Sequence, residues 1–184
     1  MYYIGVDLGG TNIAAGIVDE NYKLIAKDKV PTRSERSADE IVGDMAALCA
    51  SLAERTGLCF DDIAYIGIAA PGAIDPVNGV VKYANNIKMF QYPLAEKMKA
   101  LLPVKRVCLE NDANAATLAE AKVGAGKGCD DVIMITLGTG VGGGIVIDGK
   151  LYSGFNYMGA ELGHIGIEAG GRHCTCGRRG CWEA

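Results

Sequence analysis

The chain has 184 residues, of which 49% are hydrophobic and 22% charged, with a formal net charge of −4. This composition excludes a disordered chain, leaves enough apolar material for a sizeable core, and supplies no basic field to draw a polyanion, which argues against nucleic-acid binding. Met1 to Asp7 lacks the basic start and apolar stretch of a secretion signal, and no apolar run approaches the ~18 residues of a membrane helix, so a cytoplasmic protein with no membrane partner is expected.

Residues 2–8, 12–19 and 23–30 are apolar or alternating runs separated by Gly9-Gly10-Thr11 and by Glu20-Asn21, the pattern of three antiparallel strands. Ser37-Ala38-Asp39-Glu40 then offers a capped helix start, and Ile41, Met45, Leu48, Cys49 and Leu52 recur at helical spacing until Gly57. A buried strand over 64–70 runs into Pro71-Gly72, and 75–79 is a turn. Residues 93–102 form a helix opened by proline, 104–109 a strand, and 113–123 a further helix. This β-α-β-α progression implies a partly parallel sheet with ligands at the carboxyl ends of its strands.

Val6 to Asp19 and Ile135 to Asp148 share one pattern, a strand, a Gly-rich turn and a second strand. Two such hairpins could present two rows of backbone N–H groups to one chain of phosphates, or they could be alike by chance. The order β-β-β-α-β-α followed by the same opening is that of the duplicated ribonuclease H-like fold of actin and hexokinases. The expected fold is α/β, with one full copy over 1–110 and the truncated start of a second over 111–184. No closing helix follows the last cysteine, which suggests a truncated chain.

In the first hairpin, Gly9 and Gly10 let backbone amides approach a phosphate, Thr11 and Asn12 add polar contacts, and Asp7 would face a magnesium ion; an ordinary tight turn is the alternative. The second, Gly138-Thr139-Gly140-Val141-Gly142, belongs to a G-x-G-x-x-G string. A dinucleotide fingerprint must open a helix, whereas another strand follows here, so a phosphate-contacting hairpin fits better. Asp112 is either the N-cap of the 113–123 helix or a carboxylate placed to take a proton from an attacking hydroxyl. Of seven cysteines, Cys49, Cys59, Cys108 and Cys129 are scattered, while Cys174, Cys176 and Cys181 crowd together. An odd count with one cluster reads as metal binding, and three thiolates with one imidazole suit structural zinc. His164 and His173 compete for the fourth position. Glu161, His164 and Glu183 either converge, if this loop folds back, or are solvated surface groups.

Asp7-x-Gly-Gly-Thr, Ala70-Pro71-Gly72, Glu110-Asn111-Asp112, Leu137-Gly138-Thr139-Gly140-x-Gly-Gly-Gly, Glu161-Leu162-Gly163-His164 and Cys174-x-Cys176-Gly177-x-x-Gly180-Cys181-Trp182-Glu183 together resemble the ROK family (repressors, open reading frames, kinases). The resemblance spans the chain in the family's order. It implies that Asp112 is the catalytic base, that Gly72, Asn86, Asn111, Asp112, Glu161, His164 and Glu183 form the hexose site, and that His164, Cys174, Cys176 and Cys181 bind zinc. It also implies that Asp7, Gly9, Gly10, Thr11, Asn12, Gly138, Thr139, Gly140 and Gly142 grip the phosphates of ATP with magnesium. The activity implied is transfer of the ATP γ-phosphate to a hexose hydroxyl, the 6-hydroxyl of glucose before others, by a homodimer or homotetramer. Where the family's sugar loop often reads Asn-Leu followed by Trp, this chain has Asn85-Asn86-Ile87-Lys88-Met89-Phe90, and the family runs on beyond the zinc loop. Two other readings are a sugar-sensing regulator, which would need a DNA-binding segment not seen before Met1, and a zinc hydrolase, which would need an open metal position that three thiolates and an imidazole fill.

Overall fold

A computed structural model describes residues 1–84, 86–138 and 140–184. They form two compact units, Met1–Asp112 and Ala113–Ala184. No helix among the described residues is long and apolar enough to cross a membrane.

The first unit opens with β1 (Tyr2–Leu8), β2 (Asn12–Asp19) and β3 (Leu24–Pro31), an antiparallel meander as the alternating pattern predicts. Ile4, Val6 and Leu8 of β1 point to one face and are buried, with Ile13, Ala15 and Ile17 of β2 beside them. Helix α1 (Ala38–Thr56) contributes Ile41, Met45, Leu48, Cys49 and Leu52 to the same core. Each large side chain so buried is worth ~1.5–3 kcal/mol of transfer free energy. Both helix ends are set locally. Ser37 and Glu40 form a reciprocal capping box, and Gly57, at φ 70°, adopts the left-handed conformation that ends the helix.

Strand β4 (Ile63–Ala70) then pairs parallel with β1. A small antiparallel sheet follows, made of β5 (Ala73–Asp75), β6 (Val80–Ala84) and β7 (Met89–Tyr92), where the sequence had suggested only a turn. Helix α2 (Leu94–Leu101) follows Pro93 as its cap, and β8 (Val107–Asn111) pairs parallel with β4. Strand β8 begins later than the apolar run from Val104 suggests. The five-stranded sheet has the order β3-β2-β1-β4-β8, mixed as expected, with the carboxyl ends of β1, β4 and β8 along one edge.

Helix α3 (Asp112–Val123) carries the chain into the second unit. There, β9 (Val132–Leu137) and β10 (Val141–Ile147) form the second hairpin, and Asp148-Gly149 turns the chain into β11 (Lys150–Leu151). The glycines of β10 answer to packing. A Cβ on Gly142 would press on Thr136 and Ala113, one on Gly143 on Leu162, and one on Gly144 on Thr117. Removing three side chains from one strand lets α3 and the loop after β11 approach the backbone of β10.

Candidate functional site

In the first unit, parallel pairing sets Asp7 of β1 beside Ala69 of β4, and Ala69 beside Glu110 of β8. The strand ends therefore stand in a row, and Asn111 and Asp112 continue it into α3. Asp7 and Asp112 are near neighbours. Partial burial raises the Asp7 pKa above the usual carboxylate value, and repulsion from Asp112 adds to the shift. Two carboxylates at one edge favour a cation or a proton donor between them. Asp112 itself is the first helical residue of α3, so it stands at a helix start and directly after the carboxyl end of β8.

Asn111 is oriented by Gly72, whose carbonyl accepts a hydrogen bond from the Asn111 Nδ2 at 3.2 Å. Gly72 has φ 86°, and a Cβ there would strike the backbone of Tyr83 on β6, so glycine is required both by conformation and by close approach. The small sheet thus brings Pro71-Gly72 against the end of β8. It also carries the segment containing Asn86, whose side-chain amide lies 3.3 Å from where a Cβ on Gly10 would be. Gly72, Asn86, Asn111 and Asp112 are in this way gathered with the β1–β2 bend in one unit.

That bend is closed by a Gly9 N–H to Asn12 C=O bond of 3.0 Å. Gly9 leaves no room for a Cβ, which would sit 2.8 Å from the Asn12 oxygen. Thr32, fully buried, bonds to the bend twice, through its hydroxyl to Gly9 C=O at 2.6 Å and its N–H to Thr11 C=O at 2.9 Å. The sequence offered no motif for Thr32. Its only signal is its place, one residue beyond the Asn12–Pro31 pair that ends the β2–β3 register.

In the second unit the loop after β11 folds back on itself. Ile167 and Glu168 donate backbone bonds to Gly180, Trp182 to Ile165, and Glu183 to Gly163. This return draws His164 into contact range of the three cysteines, with the four donor atoms all within 4.8 Å of one another. His164 Nδ1 lies 3.6 Å from Cys174 Sγ, and Cys176 Sγ lies 3.6 Å from Cys181 Sγ. An ion bound tetrahedrally through bonds of ~2.0–2.3 Å has ligands ~3.3–3.8 Å apart, the range of the two 3.6 Å separations, so three thiols and an imidazole here suit one such ion. The thiol of Cys176 is lowered to about 6, first by the Arg178 backbone N–H, while burial pushes Cys181 up to about 11. His173 lies outside the quartet: its Nε2 accepts from the Arg179 guanidinium at 2.6 Å. Of the two histidines that spacing leaves equal, His164 is the one that shares the cluster with the cysteines.

Glu183 is tied to the second Gly-rich bend. Its carboxylate accepts the Val141 N–H at 3.0 Å and occupies the space that a Cβ on Gly140 would need. Glu161 is exposed at the start of the 3-10 turn Leu162–His164, three residues from His164 in the chain. Gly163 in that turn packs directly on the Val141 carbonyl. Gly138, Gly140 and Gly142 therefore share one locality with Glu183 and His164; Thr139 lies outside the described residues.

Fold and site together define an α/β chain with a glycine-lined bend beside paired carboxylates and a Cys3His cluster. The ROK family model matches residues 3–184, and the chain belongs to the ROK family. It is 46% identical over 180 residues to a glucokinase of Streptomyces coelicolor, covering 98% of the chain and 54% of that relative. It is 41% identical over 182 residues to a glucokinase of Thermotoga maritima, covering 98% and 56%. The solved ROK glucokinase of Streptomyces griseus, in complex with glucose and AMPPNP, superposes with a TM-score of 0.85 at 44% identity, covering all of this chain and 56% of that one. The chain thus spans about half the length of the relatives it matches.

Proposed function

We infer that this chain supplies the acceptor site and part of the phosphate grip of an ATP-dependent glucose kinase, with Asp112 as general base. The observation that carries the reading is the placement of Asp112 at the carboxyl edge of three parallel strands, near enough to Asp7 to help raise its pKa, beside a bend braced to display backbone amides. The identities to glucokinases, and the glucose in the Streptomyces griseus structure, support glucose as the hexose.

Asp112 accepts the proton of the sugar 6-hydroxyl as that oxygen attacks the γ-phosphorus, and Asn111, aimed by Gly72, hydrogen-bonds a neighbouring sugar hydroxyl. Asn86, Glu161, His164 and Glu183 complete the sugar contacts. Amides of Gly9 to Asn12 and Gly138 to Gly142, with Thr11 and Thr139, hold the phosphates. Magnesium bound with ATP would neutralise phosphate charge, and Asp7 is the carboxylate that would hold it. His164, Cys174, Cys176 and Cys181 would hold zinc, which would supply structure, since four protein donors would leave no open position. His164 then holds the sugar through Nε2 while Nδ1 faces the cysteines.

In this reading the fold is ribonuclease H-like, residues 1–110 being the small domain and 111–184 the start of a larger one. The protein works in the cytoplasm as a homodimer or homotetramer. Coupled ADP release by the whole protein that carries this chain, across a panel of hexoses, tests it. Turnover with glucose above other hexoses supports the assignment. Tight glucose binding without ADP release would replace it with a sugar-sensing role.

A further inference from the structure

We propose that Thr32, outside every recognised motif, is the positioning residue that aims the β1–β2 bend at the donor phosphates; the inference rests on the kinase reading above. Thr32 is completely buried, and both of its hydrogen-bonding donors are spent on this one bend. Its hydroxyl draws the Gly9 carbonyl inward at 2.6 Å and its N–H draws the Thr11 carbonyl inward at 2.9 Å.

A trans peptide unit is planar, with its C=O and the next N–H pointing in opposite directions. The chain has no cis peptide bond among the described residues. With the Gly9 carbonyl turned toward Thr32, the Gly10 N–H must turn away from it. With the Thr11 carbonyl turned toward Thr32, the Asn12 N–H must do the same. One side chain and its own amide therefore set two outward-facing donors, the arrangement that a phosphate chain requires. The free choice of peptide orientation that Gly9-Gly10 would otherwise have is the reason a brace is needed at this point.

The brace is itself anchored. The Thr32 carbonyl accepts a bond from Arg36 Nη2 at 2.9 Å, and the same nitrogen pairs with Asp44 of α1 at 2.5 Å. A continuous path, Gly9 and Thr11 to Thr32, Arg36 and Asp44, links the bend to the helix that covers the core. Preorganised amides contribute to catalysis because they need no reorganisation when charge develops on the phosphate.

The test compares Thr32→Val, which keeps shape and backbone N–H but removes the hydroxyl, with Thr32→Ser, which restores it, in the whole protein that carries this chain. Thr32→Val is expected to lower kcat/KM for MgATP about tenfold, through a higher MgATP KM and a lower kcat, with the KM for glucose unchanged within about twofold. Thr32→Ser is expected to return MgATP kinetics to within about threefold of the parent. If Thr32→Val leaves MgATP kinetics like the parent's, or raises both KM values alike, or if Thr32→Ser behaves as Thr32→Val does, the positioning role is wrong while the kinase reading stands. Should Thr32→Val fail to fold, Thr32→Ser and Arg36→Lys carry the comparison: only a shift confined to MgATP in Arg36→Lys, absent in Thr32→Ser, upholds the role. A parent protein that transfers no phosphate from ATP to any hexose would remove the kinase reading and this inference with it.

Discussion

Gly163→Ala and Gly166→Ala form a matched pair within one loop, and the packing account predicts opposite results for them. A methyl on Gly163 would be driven into the Val141 carbonyl, whereas one on Gly166 meets nothing within 4 Å. The obstacle is backbone of β10, so it cannot swing aside; the 162–164 turn must lift instead. Three contacts ride on that turn: Leu162 against Gly143, His164 beside Cys174, and the Glu183 N–H to Gly163 C=O bond of 2.9 Å. Overpacking typically costs ~1–3 kcal/mol and a lost hydrogen bond about 1 kcal/mol, which together give about 2–4 kcal/mol for Gly163→Ala. Gly166→Ala should stay within about 0.5 kcal/mol of the parent. Urea unfolding, followed by the fluorescence of Trp182, measures both, because that residue is the sole tryptophan and lies in this loop. Affinity for added zinc, measured by titration, should also fall in Gly163→Ala and hold in Gly166→Ala. Equal unfolding midpoints and equal zinc affinity in the two variants would mean that the Val141 carbonyl does not exclude a methyl at residue 163.

Asp7→Asn should raise Tm at pH 7. A raised pKa means the folded chain binds that proton more tightly than the unfolded chain does, so Asp7 contributes stability below its unfolded pKa and loses it as pH rises through the folded value. The gain from Asp7→Asn should fade in acid, and a lower Tm at neutral pH would contradict the repulsion with Asp112. Ser37→Ala removes half of the α1 capping box and should cost about 1 kcal/mol at neutral pH by thermal unfolding. Because hydrogen bonds from the Ser37 side chain and then its backbone hold the Glu40 pKa below its usual value, that part of the cap is present above the unfolded pKa and lost as pH falls through the folded one. The penalty should therefore shrink in acid, and a pH-independent penalty would count against the box.

Where a structural signal is local in the chain, it was readable from the residues. Ser37 with Glu40, the helical spacing from Ile41 to Leu52, and Gly57 mark α1 without reference to anything distant. The three opening strands were legible for the same reason, since alternation and a two-glycine bend are short-range features. The sheet β5-β6-β7 was not, because its strands are short and Lys88 and Gln91 at positive φ interrupt the alternation. Contacts between distant segments were the harder class. Spacing left His164 and His173 equal, and only the return of residues 180–183 onto 163–167 separates them. Thr32 was invisible because a threonine after a strand-ending proline looks like any loop residue; its meaning comes from the bend it faces across the sheet. The glycines of β10 read as phosphate-binding by pattern, and the structure adds a packing demand that pattern alone does not reveal. Their amides and their lack of side chains are separate properties, and both can be used at once.

The proposed phosphoryl transfer depends on Asp112 taking the proton from the sugar. Steady-state glucose phosphorylation by Asp112→Asn in the whole protein tests it most directly, because the amide keeps the shape and removes the base. The kcat of Asp112→Asn should be lower by about 10²–10⁴-fold, with little change in the KM for MgATP. Turnover within a few fold of the parent would contradict it.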